Sequence, residues 1–118
     1  MTYSVGNTFT KETVVSKENV AAKYQPGLPN VYATPDMIAD MESTCFLGLQ
    51  AFLPEEQLSV GTHVNVSHDL GVPIGEPITI TATITEIDRR KITFNVEAMS
   101  SLGSVGKGTH TRFIIDKK

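Results

Sequence analysis

The sequence has no tryptophan and a single cysteine, Cys45, among its 118 residues. One cysteine excludes an intrachain disulfide and a multi-cysteine zinc site, and it fits a reducing compartment. Long apolar runs are also missing. No stretch approaches the roughly 18 consecutive apolar residues of a membrane-spanning helix. The opening MTYSVGNTFTKE lacks the basic and apolar regions of a secretory signal. A soluble cytoplasmic protein is therefore expected. Positive charge is scarce too: ten Lys plus Arg stand against thirteen Asp plus Glu, a formal charge of −3. That is the wrong sign for gripping a phosphate backbone, so nucleic acid is not an expected partner. No repeat, low-complexity tract, G-x-S-x-G elbow, phosphate-binding loop or dinucleotide fingerprint is present.

What the chain does have is enough apolar residue, 40%, for one modest core, and a single domain over 1–118 is expected. NTFTKETVV reads as a first strand, followed by a short helical turn capped by Ser16. QPGLPN, with two prolines and a glycine, breaks any helix and should form a loop or lid. Thr34, Pro35 and Asp36 read as N-cap, first-turn proline and dipole-complementing acid. They open a helix expected to run to about Phe52 and to stop at Pro54. Beyond Pro54 the apolar period falls from 3.6 to 2. Val60, Thr62, Val64, Val66 and His68 are expected to share one strand face. ITITATITEI and KITFNVEAM form a hairpin about Asp88–Arg90, and a last strand follows SSLGS. The order predicts an α+β fold, an antiparallel sheet with one long helix on its face, with dimerisation protecting the sheet edges.

Functional candidates are the residues that break these patterns. At 100° per residue, Ile38, Met41, Cys45, Leu49 and Phe52 form the helix stripe facing the core, and Glu42 falls about 40° from Ile38. An unpaired carboxylate there would be costly, so Glu42 must meet a partner, become protonated, or reach out to solvent. Thr34 lies two turns nearer the helix start. His68, beside a Pro- and Gly-containing loop, is placed to titrate near neutrality and to pair with Glu42. Gly61 marks a bulge or close backbone approach and offers an N–H as an oxyanion donor. Gly106 and Gly108 leave room along the last strand for a long ligand. His63 and His110 fall at opposite-parity, wetter positions with no assigned role, and the opposed parity of His63 and His68 argues against a zinc site.

The stretches VYATPDMIADME, LSVGTHVNVSHD and GKGTHTRF, in this order with the early strand and the Pro-Gly loop, resemble the small hotdog-fold thioesterases related to fluoroacetyl-CoA thioesterase. The resemblance implies a long helix wrapped by a five-stranded antiparallel sheet, a homodimer with active sites at its interface, and coenzyme A thioesters as substrates. No metal or separate cofactor is implied. It makes Thr34, Glu42 and His68 the catalytic residues and puts Gly61 at the acyl end of the site. Glu42 would serve as nucleophile through an anhydride or as base for water, His68 would handle protons, and Thr34 would hold the acyl group or orient Glu42. Leu28 and Tyr32, with Tyr24, are expected to line an apolar acyl pocket, Arg112 of the terminal motif to contact substrate, and Phe46 to be core. Gln25 and Leu28 stand where fluoroacetyl-specific relatives carry phenylalanines, so a small or medium acyl group is expected rather than fluoroacetyl specifically. The competing reading is a non-catalytic module that binds acyl-CoA or another small apolar ligand.

Overall fold

A computed structural model describes residues 2–117. Along the chain these form β1 (Thr8–Val14), α1 (Ala21–Tyr24), α2 (Thr34–Gln50), β2 (Gln57–Val66), β3 (Pro77–Asp88), β4 (Lys91–Ser100) and β5 (Gly103–Asp116). The strands make one sheet in the order β1-β3-β4-β5-β2, antiparallel throughout. Alternation in β3 and β4 decides which face is covered. Ile78, Ile80, Ala82 and Ile84 of β3 and Ile92, Phe94, Val96 and Ala98 of β4 are buried, while the intervening threonines stay partly exposed. Helix α2 closes that face with Met37, Met41, Cys45 and Leu49, and burying each larger aliphatic side chain is worth about 1.5–3 kcal/mol. The expected helix-on-sheet architecture is thus present. No helix among the described residues is long and apolar enough to cross a membrane.

Several local expectations are corrected. Ala33, not Thr34, is the N-cap of α2; Thr34 is the first helical residue and its hydroxyl makes no capping bond. The helix ends at Gln50 rather than near Phe52. Its buried ridge follows the i, i+4 row Met37–Met41–Cys45–Leu49, leaving Ile38 and Glu42 together on a half-buried flank.

Strand β2 does not keep one parity. Its register against β5 shifts between Gly61 and His63, and a bulge of this kind moves later side chains to the other face. Val60 therefore pairs with the exposed Phe113, whereas Val64 pairs with the buried His110. Gly61, opposite Arg112, faces inward.

The segment 67–76 leaves the β2 edge and carries the chain back across the end of the sheet to β3. It is fastened by Ser67 N–H to Lys107 O (2.8 Å), Asp69 N–H to Val105 O (2.7 Å) and Gly75 N–H to Val15 O (2.8 Å). His68 sits in this segment, past the end of β2, rather than on the strand face. Gly106 and Gly108 permit the approach. A Cβ on Gly106 would collide with the Ser67 carbonyl and lie 2.9 Å from Met37 Sδ, and one on Gly108 would collide with the Asn65 carbonyl. The space expected there for a ligand is filled by backbone.

Candidate active site

Two side-chain clusters flank α2. The first gathers at its N-terminus. Because Ala33 takes the cap position, Thr34 Oγ1 is free to point at the fastened segment, where it lies 2.7 Å from His68 Nδ1 in a hydrogen bond. The His68 ring meets Tyr32 edge-on, with centroids 6.4 Å apart and an interplanar angle of 72°. Tyr32 is 1% exposed, and its hydroxyl donates to the Asp40 carboxylate. Asp40 in turn lies 3.6 Å from Lys11 Nζ on β1. Burial, then the adjacent Asp40, raises the Tyr32 pKa, so its hydroxyl remains a donor. Tyr32 is thus a buried support beneath His68 and not an open pocket wall. Leu28, by contrast, is 47% exposed in the loop after α1.

The second cluster is built around Arg112 of β5. Its guanidinium is buried, and Nε and Nη2 donate to the Ser59 hydroxyl (2.7 Å) and carbonyl (2.9 Å). Nη1 lies 3.1 Å from His110 Nε2 and 3.6 Å from Glu42 Oε1. The Phe46 ring, half-buried, covers the guanidinium from 5.5 Å, close enough for a cation–π contact.

Of the outcomes open to Glu42, the structure combines two: it meets a positive partner, and its side chain remains 42% exposed while that of Arg112 is 7% exposed. Gly61 lies against the same group: an added Cβ would stand 2.9 Å from Glu42 Oε1, 3.1 Å from His110 Cε1 and 3.3 Å from Arg112 Nη1. Glycine here lets these three side chains pack directly against the strand backbone.

Beneath the cluster, burial pushes the Cys45 thiol up to about 12, which keeps it protonated and unreactive. Burial also lowers the Arg112 pKa, opposed by the neighbouring Glu42 charge.

The expected His68–Glu42 pair does not form within one chain. His68 bonds Thr34 and Glu42 faces Arg112. Thr34 and Glu42 are two helical turns apart, about 12 Å along the axis. Sequence reasoning also missed Ser59, Asp40 and His110. His110 is 1% exposed rather than wet, and the signal was its i+2 relation to Arg112, which puts both on one strand face. Among the described residues no group of three or more His, Cys, Asp or Glu is placed to hold a metal. An open groove of about 450 Å³ on the outer sheet face, lined by Thr81, Thr83, Asn95, Glu97, Lys107 and Thr109 among others, contains none of these residues.

Residues 15–118 match the family described as fluoroacetyl-CoA-specific thioesterase. The fluoroacetyl-CoA thioesterase of Streptantibioticus cattleyicolor is 30% identical over 117 residues, covering 94% of this chain and 84% of that protein. A solved structure of the fluoroacetyl-CoA thioesterase FlK superposes with a TM-score of 0.92 at 29% identity, over 98% of this chain and 90% of FlK. A FlK variant in complex with fluoroacetate and CoA gives 0.90 at 29% identity, over 97% and 96% of the two chains. A Thermus thermophilus member of the thioesterase superfamily gives 0.89 at 27% identity, over 97% and 85%. With a family match spanning nearly the whole sequence and the same fold throughout, the chain belongs to the fluoroacetyl-CoA-specific thioesterase family and is a hotdog-fold thioester hydrolase.

Proposed function

We propose that the protein hydrolyses the coenzyme A thioester of a small or medium acyl group, with Thr34, Glu42 and His68 as its catalytic residues and Gly61 and Arg112 at the acyl end of the site. The observation that carries the proposal is the Glu42 carboxylate, half-open to solvent, paired with a buried arginine and brought close to the β2 backbone by the missing side chain of Gly61. A thioester carbonyl seated there is within reach of the carboxylate. Glu42 either attacks it, expelling the CoA thiolate and forming an acyl–carboxylate anhydride that water then cleaves, or takes a proton from a water that attacks the carbonyl and displaces the thiolate. His68, held through Nδ1 by Thr34, presents Nε2 for proton transfer to the departing thiolate. CoA is part of the substrate, and the chemistry calls for no metal or separate cofactor.

The two clusters meet if two chains associate. β2 is an edge strand, exposed from Val60 to Asn65. Pairing of two β2 edges about a two-fold axis near the middle of the strand would set the Val66 end of one chain opposite the Leu58 end of its partner. Thr34 and His68 of one protomer would then work with Glu42, Gly61 and Arg112 of the other, in a homodimer with two sites. The loop after α1 presents Gln25 and Leu28 rather than aromatic side chains, which favours acyl groups chosen by size over fluoroacetyl selectivity. We place this single-domain enzyme in the cytoplasm, in keeping with its one buried free thiol.

The test is release of free thiol from acetyl, short, branched, aromatic and medium-chain acyl-CoAs by the parent and by Glu42→Gln. Turnover of one class that disappears in the variant supports the proposal. Saturable binding without thiol release across the panel would overturn it in favour of a ligand-binding module.

A further inference from the structure

His110 is the one buried histidine among the described residues and takes no part in the steps above. Its two hydrogen bonds leave it a single protonation state. Nδ1 lies 2.8 Å from the His63 carbonyl, which can only accept, so Nδ1 carries a proton. Nε2 lies 3.1 Å from Arg112 Nη1, which can only donate, so Nε2 carries a lone pair. A second proton on the ring would face the guanidinium directly.

We propose that His110 is a positioning residue: fixed as a neutral imidazole protonated on Nδ1, it accepts from Arg112 through Nε2 and holds the guanidinium at Glu42 and Gly61. Ser59 anchors the Nε and Nη2 edge of the same planar group, and His110 adds the third hold, at Nη1, the nitrogen nearest Glu42. The inference rests on the catalytic reading of Glu42 given above. The groups facing the ring are Arg112 of its own strand, His63 and Gly61 of β2, Glu42 of α2 and the apolar Phe94 of β4. Burial, reinforced by the Arg112 charge, lowers the His110 pKa, in keeping with the geometry.

The first arm of the test needs no substrate. Nitrogen-15 NMR of the imidazoles in the intact protein at pH 7 should show one histidine with a protonated Nδ1 and an unprotonated Nε2, lost in His110→Phe and His110→Gln. An Nε2-protonated or doubly protonated His110 would overturn the proposal. The second arm is kinetic. His110→Phe keeps the ring and removes the acceptor, and should lower kcat by about 10-fold or more with a smaller change in KM. His110→Gln returns an acceptor oxygen near the Nε2 position and should recover most of that loss. Equal losses in both variants, or none in a folded His110→Phe, would overturn the positioning role. Should His110→Phe not fold, the NMR state of the parent and the activity of His110→Gln decide the matter. A parent without thioesterase activity would sink the functional proposal, while the NMR arm would still judge the state assigned to His110.

Discussion

The two members of the Glu42–Arg112 pair differ sharply in exposure, so removing one should not resemble removing the other. Glu42 is 42% exposed at its side chain. In Glu42→Gln, Arg112 retains Ser59 Oγ, Ser59 O and His110 Nε2, and the lost attraction is screened by water, so destabilisation should stay within about 1 kcal/mol. Arg112→Met fills much the same volume but strips those three acceptors of their donor, with Ser59 and His110 both at 2% exposure or less. Orphaned buried acceptors cost about 1–3 kcal/mol each, and part of that is recovered by relaxation and by the apolar Met, giving a net loss of about 2–4 kcal/mol. For a chain of this length about 3–6 °C of Tm accompanies each kcal/mol. Thermal unfolding should therefore show Glu42→Gln within about 6 °C of the parent and Arg112→Met about 6–24 °C below it. Thiol release should fall at least about 100-fold in Glu42→Gln despite its intact fold. Equal destabilisation by the two substitutions, or a fully active Glu42→Gln, would refute the reasoning by making Glu42 a structural counter-ion.

Three further outcomes are expected. Gly106→Ala drives a methyl into the Ser67 carbonyl and toward Met37, so it should destabilise by about 1–3 kcal/mol and, by displacing the segment that carries His68, lower kcat more than KM; thermal unfolding and steady-state kinetics read both. Tyr32→Phe removes the donor to Asp40 and should cost about 1–2 kcal/mol in chemical denaturation. His110 has a lower pKa folded than unfolded, so its contribution to stability is full above the ordinary histidine value of about 6.5 and is lost as pH falls below it toward the folded pKa. The fall in Tm between pH 7 and pH 5 should be shallower in His110→Gln than in the parent, and an unchanged slope would contradict the buried neutral ring.

The parts of this protein that were legible in its sequence are those where one physical rule acts alone. Alternation in ITITATITEI and KITFNVEAM fixed both the strands and their buried faces, because only one face of that sheet is covered by the helix. Glu42 stood out because a carboxylate beside an apolar helix stripe needs a partner, a proton or a way out to solvent, and it has both Arg112 and partial exposure. Where two rules competed, the reading failed. A threonine at a helix start can cap the helix or turn outward, and Thr34 turns outward to His68 because Ala33 takes the cap position. Parity in β2 holds only until the irregularity after Gly61 reverses it, a feature the sequence marks solely by that glycine. Strand parity taken residue by residue does not mark His110, whereas its i+2 spacing from Arg112 puts both side chains into one buried network. Within one chain the Thr34 and Glu42 clusters stay two helical turns apart, and no local pattern of the sequence encodes the pairing of chains proposed to join them.

The most direct test mixes two dead enzymes. His68→Ala and Glu42→Gln, each inactive alone, are unfolded together and refolded at equal concentration, and thiol release from the preferred acyl-CoA is measured. If Thr34 and His68 of one protomer serve Glu42 of its partner, half of the dimers are mixed and one of the two sites in each is intact, so about a quarter of the parent activity should return. No recovery, with mixed dimers demonstrated by differential tagging, would contradict the shared site.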